Sequence, residues 1–66
     1  MNRYFRLIIE PANPWWELGD IVKVTKQCSI RLRDNKKLGG YANDDYFISN
    51  ESYIEIPQEL AEILYD

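Results

Sequence analysis

Apolar and polar residues alternate along this chain in short bursts separated by turn chemistry. Phe5, Leu7 and Ile9 alternate with Tyr4, Arg6 and Ile8, which predicts a strand over residues 3–9. Glu10-Pro11-Ala12-Asn13-Pro14 ends it, because closely spaced prolines remove ladder donors. Trp15-Trp16-Glu17-Leu18-Gly19-Asp20 reads as a structured loop closed by Gly-Asp turn chemistry. Residues 21–26 are rich in β-branched side chains and predict a second strand, with Val22 and Val24 on one face. Cys28, Ile30 and Leu32 then alternate with Ser29, Arg31 and Arg33, predicting a strand over 28–33. Its apolar face is expected inward and its Ser/Arg/Arg face toward solvent. Lys26-Gln27 reads either as a turn between two strands or as a bend within one.

Asp34-Asn35-Lys36-Lys37-Leu38-Gly39-Gly40 has the composition of a hairpin loop, and Asn43-Asp44-Asp45 that of a further turn. A short strand is expected over 46–48, then a tight turn over Ser49-Asn50-Glu51-Ser52, read as a single 3₁₀ turn. The last strand is expected over 53–56, with Ile54 and Ile56 inward. Pro57 suits a first helical position, Gln58 and Glu59 suit the first turn, and Leu60, Ile63 and Leu64 form a helical stripe. These predict a helix over 57–65 that packs through that stripe, since so short a helix does not hold alone in water. Five short strands and one helix point to a mainly β fold. The expectation is a strongly bent five-stranded barrel with a short C-terminal α-helix, forming one domain over 1–66.

Composition narrows the function. With 66 residues, 45% apolar and 14% aromatic, the chain supports one small core and no large enclosed cleft. Cys28 is the single cysteine, so no internal disulfide forms, and a cytoplasmic protein is expected. The run Leu7-Ile8-Ile9 is too short for a signal-peptide core or a membrane span. Histidine is absent, which removes the commonest general base, the Ser/His and Cys/His pairs and most zinc sites. Asp44-Asp45 with Glu51 reads as a solvated turn, not a calcium loop, and Gly39-Gly40 lacks the surroundings of a phosphate-binding loop. No enzymatic activity, cofactor or metal is expected. Cys28 reads as a small core residue.

Charge is uneven. Residues 1–37 hold all eight basic residues and four acids, whereas residues 38–66 hold seven acids and no base. Such asymmetry either marks a partner-facing surface or is cancelled by pairing between the halves within the fold.

The order of these segments resembles an SH3 domain. Glu17-Leu18-Gly19-Asp20-Ile21-Val22-Lys23-Val24 resembles the stretch that enters the second SH3 strand. Phe47-Ile48-Ser49-Asn50-Glu51-Ser52-Tyr53-Ile54-Glu55 resembles the P-S-N-Y-V segment, with two residues inserted and Ile48 at the proline position. The resemblance covers most of residues 3–56 and implies an SH3-like small barrel. It stops at architecture. Leu7-Ile8-Ile9-Glu10-Pro11 stands where peptide-binding SH3 domains carry A-L-Y-D-Y, and Cys28-Ser29-Ile30 where they carry tryptophan, so polyproline recognition is not implied. In size and composition the chain also looks like the small accessory proteins of bacteria and their phages.

Three functional readings follow. The favoured one is a protein–protein interaction module, of the kind a phage-type inhibitor of a host protein or an assembly subunit would be. It uses Trp15 and Trp16, with Tyr41 and Tyr53 as neighbours, as an aromatic patch within an acidic rim. Adjacent loop tryptophans do not both point one way, so one is expected to plug the barrel and the other to be exposed, unless both pack inward. The second reading is a nucleic-acid-binding barrel using Arg31, Arg33, Lys36 and Lys37, against which the acidic isoelectric point of about 4.8 argues. The third is a homo-oligomer that sequesters a small molecule between subunits. Glu55, Glu59 and Glu62 form an acidic stripe if the helix starts early, a minor route to phosphate mimicry.

Overall fold

The computed structural model describes residues 2–38 and 44–65. The elements in chain order are β1 (Arg3–Leu7), β2 (Ile21–Val24), β3 (Ser29–Arg31), β4 (Lys36–Lys37), α1 (Asp44–Ile48), β5 (Tyr53–Ile56) and α2 (Gln58–Tyr65). The strands form one antiparallel sheet in the order β4-β3-β2-β1-β5. The fold is mainly β, and the sheet is open, with β4 and β5 at its edges.

Register assigns every side chain to a face, because antiparallel partners point the same way. Phe5 pairs with Val22, and Val22 with Arg31; Tyr4 pairs with Lys23 and Ile56. One face therefore carries Phe5, Leu7, Val22, Val24 and Tyr53, the other Tyr4, Arg6, Ile21, Ile54 and Ile56. Phe47 of α1 covers the first face and builds a core with Phe5, Val22 and Val24, against which Trp16, Leu38 and Tyr53 pack. Phe5 and Phe47 stack at 5.3 Å, and Tyr53 meets Phe47 edge-on at 4.8 Å. On the second face Ala61 of α2 seals Tyr4 and Ile21, with Leu32 and Ile56 alongside. β1 is thus covered on both faces, which is why Tyr4 and Phe5 are both buried despite their alternation.

Several expectations are corrected. The first strand stops at Leu7, and Ile8 and Ile9 are exposed. The second strand ends at Val24, because Thr25 N–H donates to the Cys28 carbonyl and Thr25 Oγ1 accepts from the backbone N–H of Gln27 and Cys28. Lys26-Gln27 is therefore a turn, and half-buried Cys28 belongs to it. The strand expected over 28–33 is only Ser29–Arg31, and its faces are reversed. Ser29 and Arg31 are buried, while Ile30 and Leu32 are half-buried. Alternation supplies a period but no phase once a charged residue finds partners inside. The loop over 34–40 contributes β4, which follows a turn with Asn35 in the left-handed region at φ 56°. Gly39 and Gly40, and Asn43 of the further turn, lie outside the described residues.

Residues 46–48 belong to helix α1, not to a strand. A single turn of helix lowers Phe47 onto Phe5 while Tyr46 and Ile48 stay exposed. The turn at 49–52 forms, with Asn50 Oδ1 accepting from Ser52 N–H and the Asn50 carbonyl from Tyr53 N–H. β5 lies where expected, yet Ile54 is exposed, because α2 covers only part of that face. α2 starts at Gln58, one residue later than expected, and the Pro57 carbonyl accepts from Leu60 and Ala61. The helix packs through Ala61, and its Leu60, Ile63 and Leu64 stripe is exposed instead of buried. Among the described residues no helix is long and apolar enough to cross a membrane.

Candidate protein-interaction site

The loop over 10–20 is built by local hydrogen bonds. Asn13 Oδ1 accepts from Trp15 N–H at 2.8 Å, and the Asn13 carbonyl accepts from Trp16 N–H. This Asx turn sits between Pro11 and Pro14, whose fixed φ stiffens the approach. At the far end Gly19, at φ +92°, lets the chain reverse so that its N–H reaches the Leu7 carbonyl, while Leu7 N–H donates to Asp20 O. The loop therefore closes against the end of β1.

Two arginines hold it from below. Arg31, 4% exposed, forks onto Asp34 (Nε to Oδ1 3.0 Å, Nη2 to Oδ2 2.6 Å) and donates through Nη1 to the Trp15 carbonyl. Its guanidinium lies 5.2 Å from the Trp16 ring centroid. Arg33 forks onto Asp20 at 2.8 and 3.2 Å, pairs with Glu17, and donates to the same Trp15 carbonyl at 3.1 Å. Asp20, 2% exposed, also accepts from Glu17 N–H, so this buried carboxylate is fully engaged. The hydrogen bond from Arg31 holds the Asp34 carboxyl at about 2, below its ordinary 3.8. Asp34 and Asp20 raise the Arg31 and Arg33 guanidinium groups further above their usual range.

The tryptophan pair divides. Trp16 turns inward and meets Tyr53 edge-on at 6.1 Å. Trp15 is 64% exposed, its backbone fixed by both arginines and its ring beneath Lys36 Nζ at 5.0 Å. Beside it is an open depression of about 620 Å³, walled by Pro11, Pro14, Trp16 and Leu18, with Glu10 and Glu17 in its lining. Tyr53 is half-buried beneath Trp16, and desolvation pushes its hydroxyl up to about 12. It supports the loop instead of extending the patch. Tyr41 lies outside the described residues.

The four basic residues do not share one solvent face. Arg31 and Arg33 are committed to Asp34, Asp20, Glu17 and the Trp15 carbonyl, while Lys36 lies over Trp15, and Lys36 and Lys37 form an exposed edge. These ion pairs lie within the basic half of the chain. Arg3 crosses to the acidic half, forking onto Glu55 at 2.8 and 2.6 Å and lowering its pKa. The Arg31–Asp34 and Arg33–Asp20 pairs are supports of this loop that the sequence pattern did not reveal. Asp20 and Asp34 read there as turn residues; Asp34, three residues from Arg31, offered a local signal, whereas Asp20 is thirteen residues from Arg33 and offered none. Among the described residues no cluster of three His, Cys, Asp or Glu side chains is placed to hold a metal. No protein-family model matches this chain, and no curated protein or solved structure matches it.

Proposed function

We propose that this chain is a non-enzymatic protein-binding module that presents Trp15 on a pre-ordered loop. One observation carries the reading: a large exposed aromatic whose backbone carbonyl is held by two arginines. An exposed tryptophan on a rigid support loses little entropy on binding, which is what makes tryptophan a favoured interface anchor. The neighbouring depression offers apolar walls and two carboxylates. It therefore suits a partner segment with an apolar side chain next to a lysine or arginine. Trp15 fills a pocket on the partner, and the partner's side chain fills the depression. The function is occupancy, as in an inhibitor or an assembly subunit. In architecture we read the sheet as an SH3-like small barrel; the β1–β5 pairing and the helical turn before β5 support that reading.

The test is affinity capture from a bacterial lysate, with and without nuclease, with the parent chain and Trp15→Ala side by side. The reading expects a stoichiometric protein retained by the parent and lost from Trp15→Ala, with affinity falling by about 2 kcal/mol or more, roughly thirtyfold. Equal retention by a folded Trp15→Ala variant, or capture that disappears with nuclease, would sink it.

A further inference from the structure

A second surface lies on the opposite face of the sheet and meets the Trp15 depression at Glu17 and Leu18. α2 touches the sheet through Ala61, and at 100° per residue Leu64 and Leu60 fall on one flank of that contact, Gln58 and Glu62 on the other, and Ile63 and Glu59 side by side on the outer face. Leu64 lines a depression with Arg6, Glu17, Leu18, Gly19 and Asp20, and this runs into another, of about 440 Å³, lined by Arg6, Ile8, Leu18 and Ile54. Leu64 and the uncovered sheet face therefore line one groove, apolar along Ile8, Leu18, Ile54 and Leu64 and edged by Glu17 and Asp20, both of which pair with Arg33. Arg6 stands in its floor, paired in register with Ile21 and Ile54, and has no ion-pair partner among the described residues.

We propose that a second copy of this chain covers this groove in a two-fold dimer, with α2 of each copy seated in the groove of the other. Three observations favour a second copy over a foreign partner. First, the patch is self-complementary. It carries a ridge, Ile63 at 77% exposure, on the helix whose Leu64 lines the trough bounded by Leu18 and Ile54, and a two-fold interface requires both on one surface. Second, the charges match. Glu59 is the i−4 neighbour of Ile63, so the ridge that enters a partner's groove brings a carboxylate to that groove's Arg6, whose neighbours Glu17 and Asp20 already pair with Arg33. Third, the area suffices. Ile8, Leu18, Ile54, Leu60, Ile63 and Leu64 expose on the order of 600 Å². About 800 Å² per partner is standard, and Arg6 in the floor and Tyr65 at the rim narrow the difference.

The test is analytical ultracentrifugation of the full chain from about 1 to about 500 µM. The proposal expects a species of twice the 7.9 kDa chain mass, with a dissociation constant between roughly 1 and 100 µM. Ile63→Asp, at a site too exposed to disturb the monomer fold, weakens the dimer at least tenfold and leaves the melting curve of dilute protein unchanged. Arg6→Glu and Glu59→Arg each weaken it, and combining them restores it to within about threefold. A monomer throughout the range overturns the proposal and leaves the groove to a foreign partner. A dimer indifferent to Ile63→Asp overturns the use of this surface. Failure of the charge exchange to restore association overturns the Arg6–Glu59 contact.

Discussion

Replacing Arg31 by methionine tests what holds the tryptophan loop in place. Methionine keeps an aliphatic stem against Trp16 and removes the guanidinium. Three interactions go: the fork onto Asp34, the bond to the Trp15 carbonyl, and the charge over the Trp16 ring. Asp34 is 40% exposed on its side chain, so its carboxylate rehydrates, and the pair counts for about 1 kcal/mol. The Trp15 carbonyl keeps Arg33 at 3.1 Å, so one charged bond is lost and not both, about 1.5 kcal/mol. The cation–π contact adds about 0.5 kcal/mol. The methionine side chain, at a position nearly closed to water, returns about 1 kcal/mol through its own burial. The net loss is about 2 kcal/mol. A domain of this length commonly has roughly 3–10 kcal/mol in all, and the midpoint should fall by about 10 °C.

Urea unfolding followed by tryptophan fluorescence reads this directly, and the emission of native Arg31→Met should shift to the red as the loop loosens. Arg31→Lys retains the charge without the fork and should recover less than half of the loss. The acid side supplies an independent arm. The folded-state pKa of Asp34 is depressed, so its contribution is complete above the ordinary value of 3.8 and disappears as pH falls toward about 2. The difference between parent and Arg31→Met should therefore narrow across that interval by the share the Asp34 fork supplies, leaving the part due to the Trp15 carbonyl and the Trp16 ring. A difference below about 0.5 kcal/mol at neutral pH, the scatter of ordinary surface substitutions, would refute the reasoning. So would a difference that persists undiminished at about pH 2.

Three further outcomes are expected. Trp16→Ala should cost about 3 kcal/mol in urea unfolding, because Trp16 packs on the Phe5/Phe47 core, whereas Trp15→Ala should stay within about 0.5 kcal/mol. Raising pH from 10 to about 12 should destabilise the parent. Tyr53 ionises readily in the unfolded chain but only near 12 in the folded one, so Tyr53→Phe should flatten that alkaline limb of the stability profile. Gly19→Ala should lower stability by about 1–2 kcal/mol through its φ of +92°. The added Cβ would meet Arg6 Nη2 at an ordinary 3.5 Å, so a thermal melt showing no loss would count against backbone strain there.

Local chemistry placed much of this fold before any tertiary contact was known. Proline spacing, Gly19-Asp20 and Asn50 marked where the chain turns, and β-branched residues marked β2 and β5, because these preferences act over a few residues. That Trp15 and Trp16 diverge was one of two readings the sequence left open, and which of them turns inward was decided by the Tyr53 and Arg31 side chains that receive Trp16. Three other things were decided only by assembly. The short segment Tyr46-Phe47-Ile48 became a helical turn, because one turn sets Phe47 over Phe5 where a strand would have needed an edge to join. The phase of β3 followed the Val22–Arg31 register and not hydrophobicity, because Asp34 and the Trp15 carbonyl compensate the buried charge. The stripe of α2 was left facing outward because Ala61, the smallest apolar residue on the helix, allows the closest approach to Tyr4 and Ile21. Periodicity states which residues share a face; which face is inside depends on partners distant in sequence.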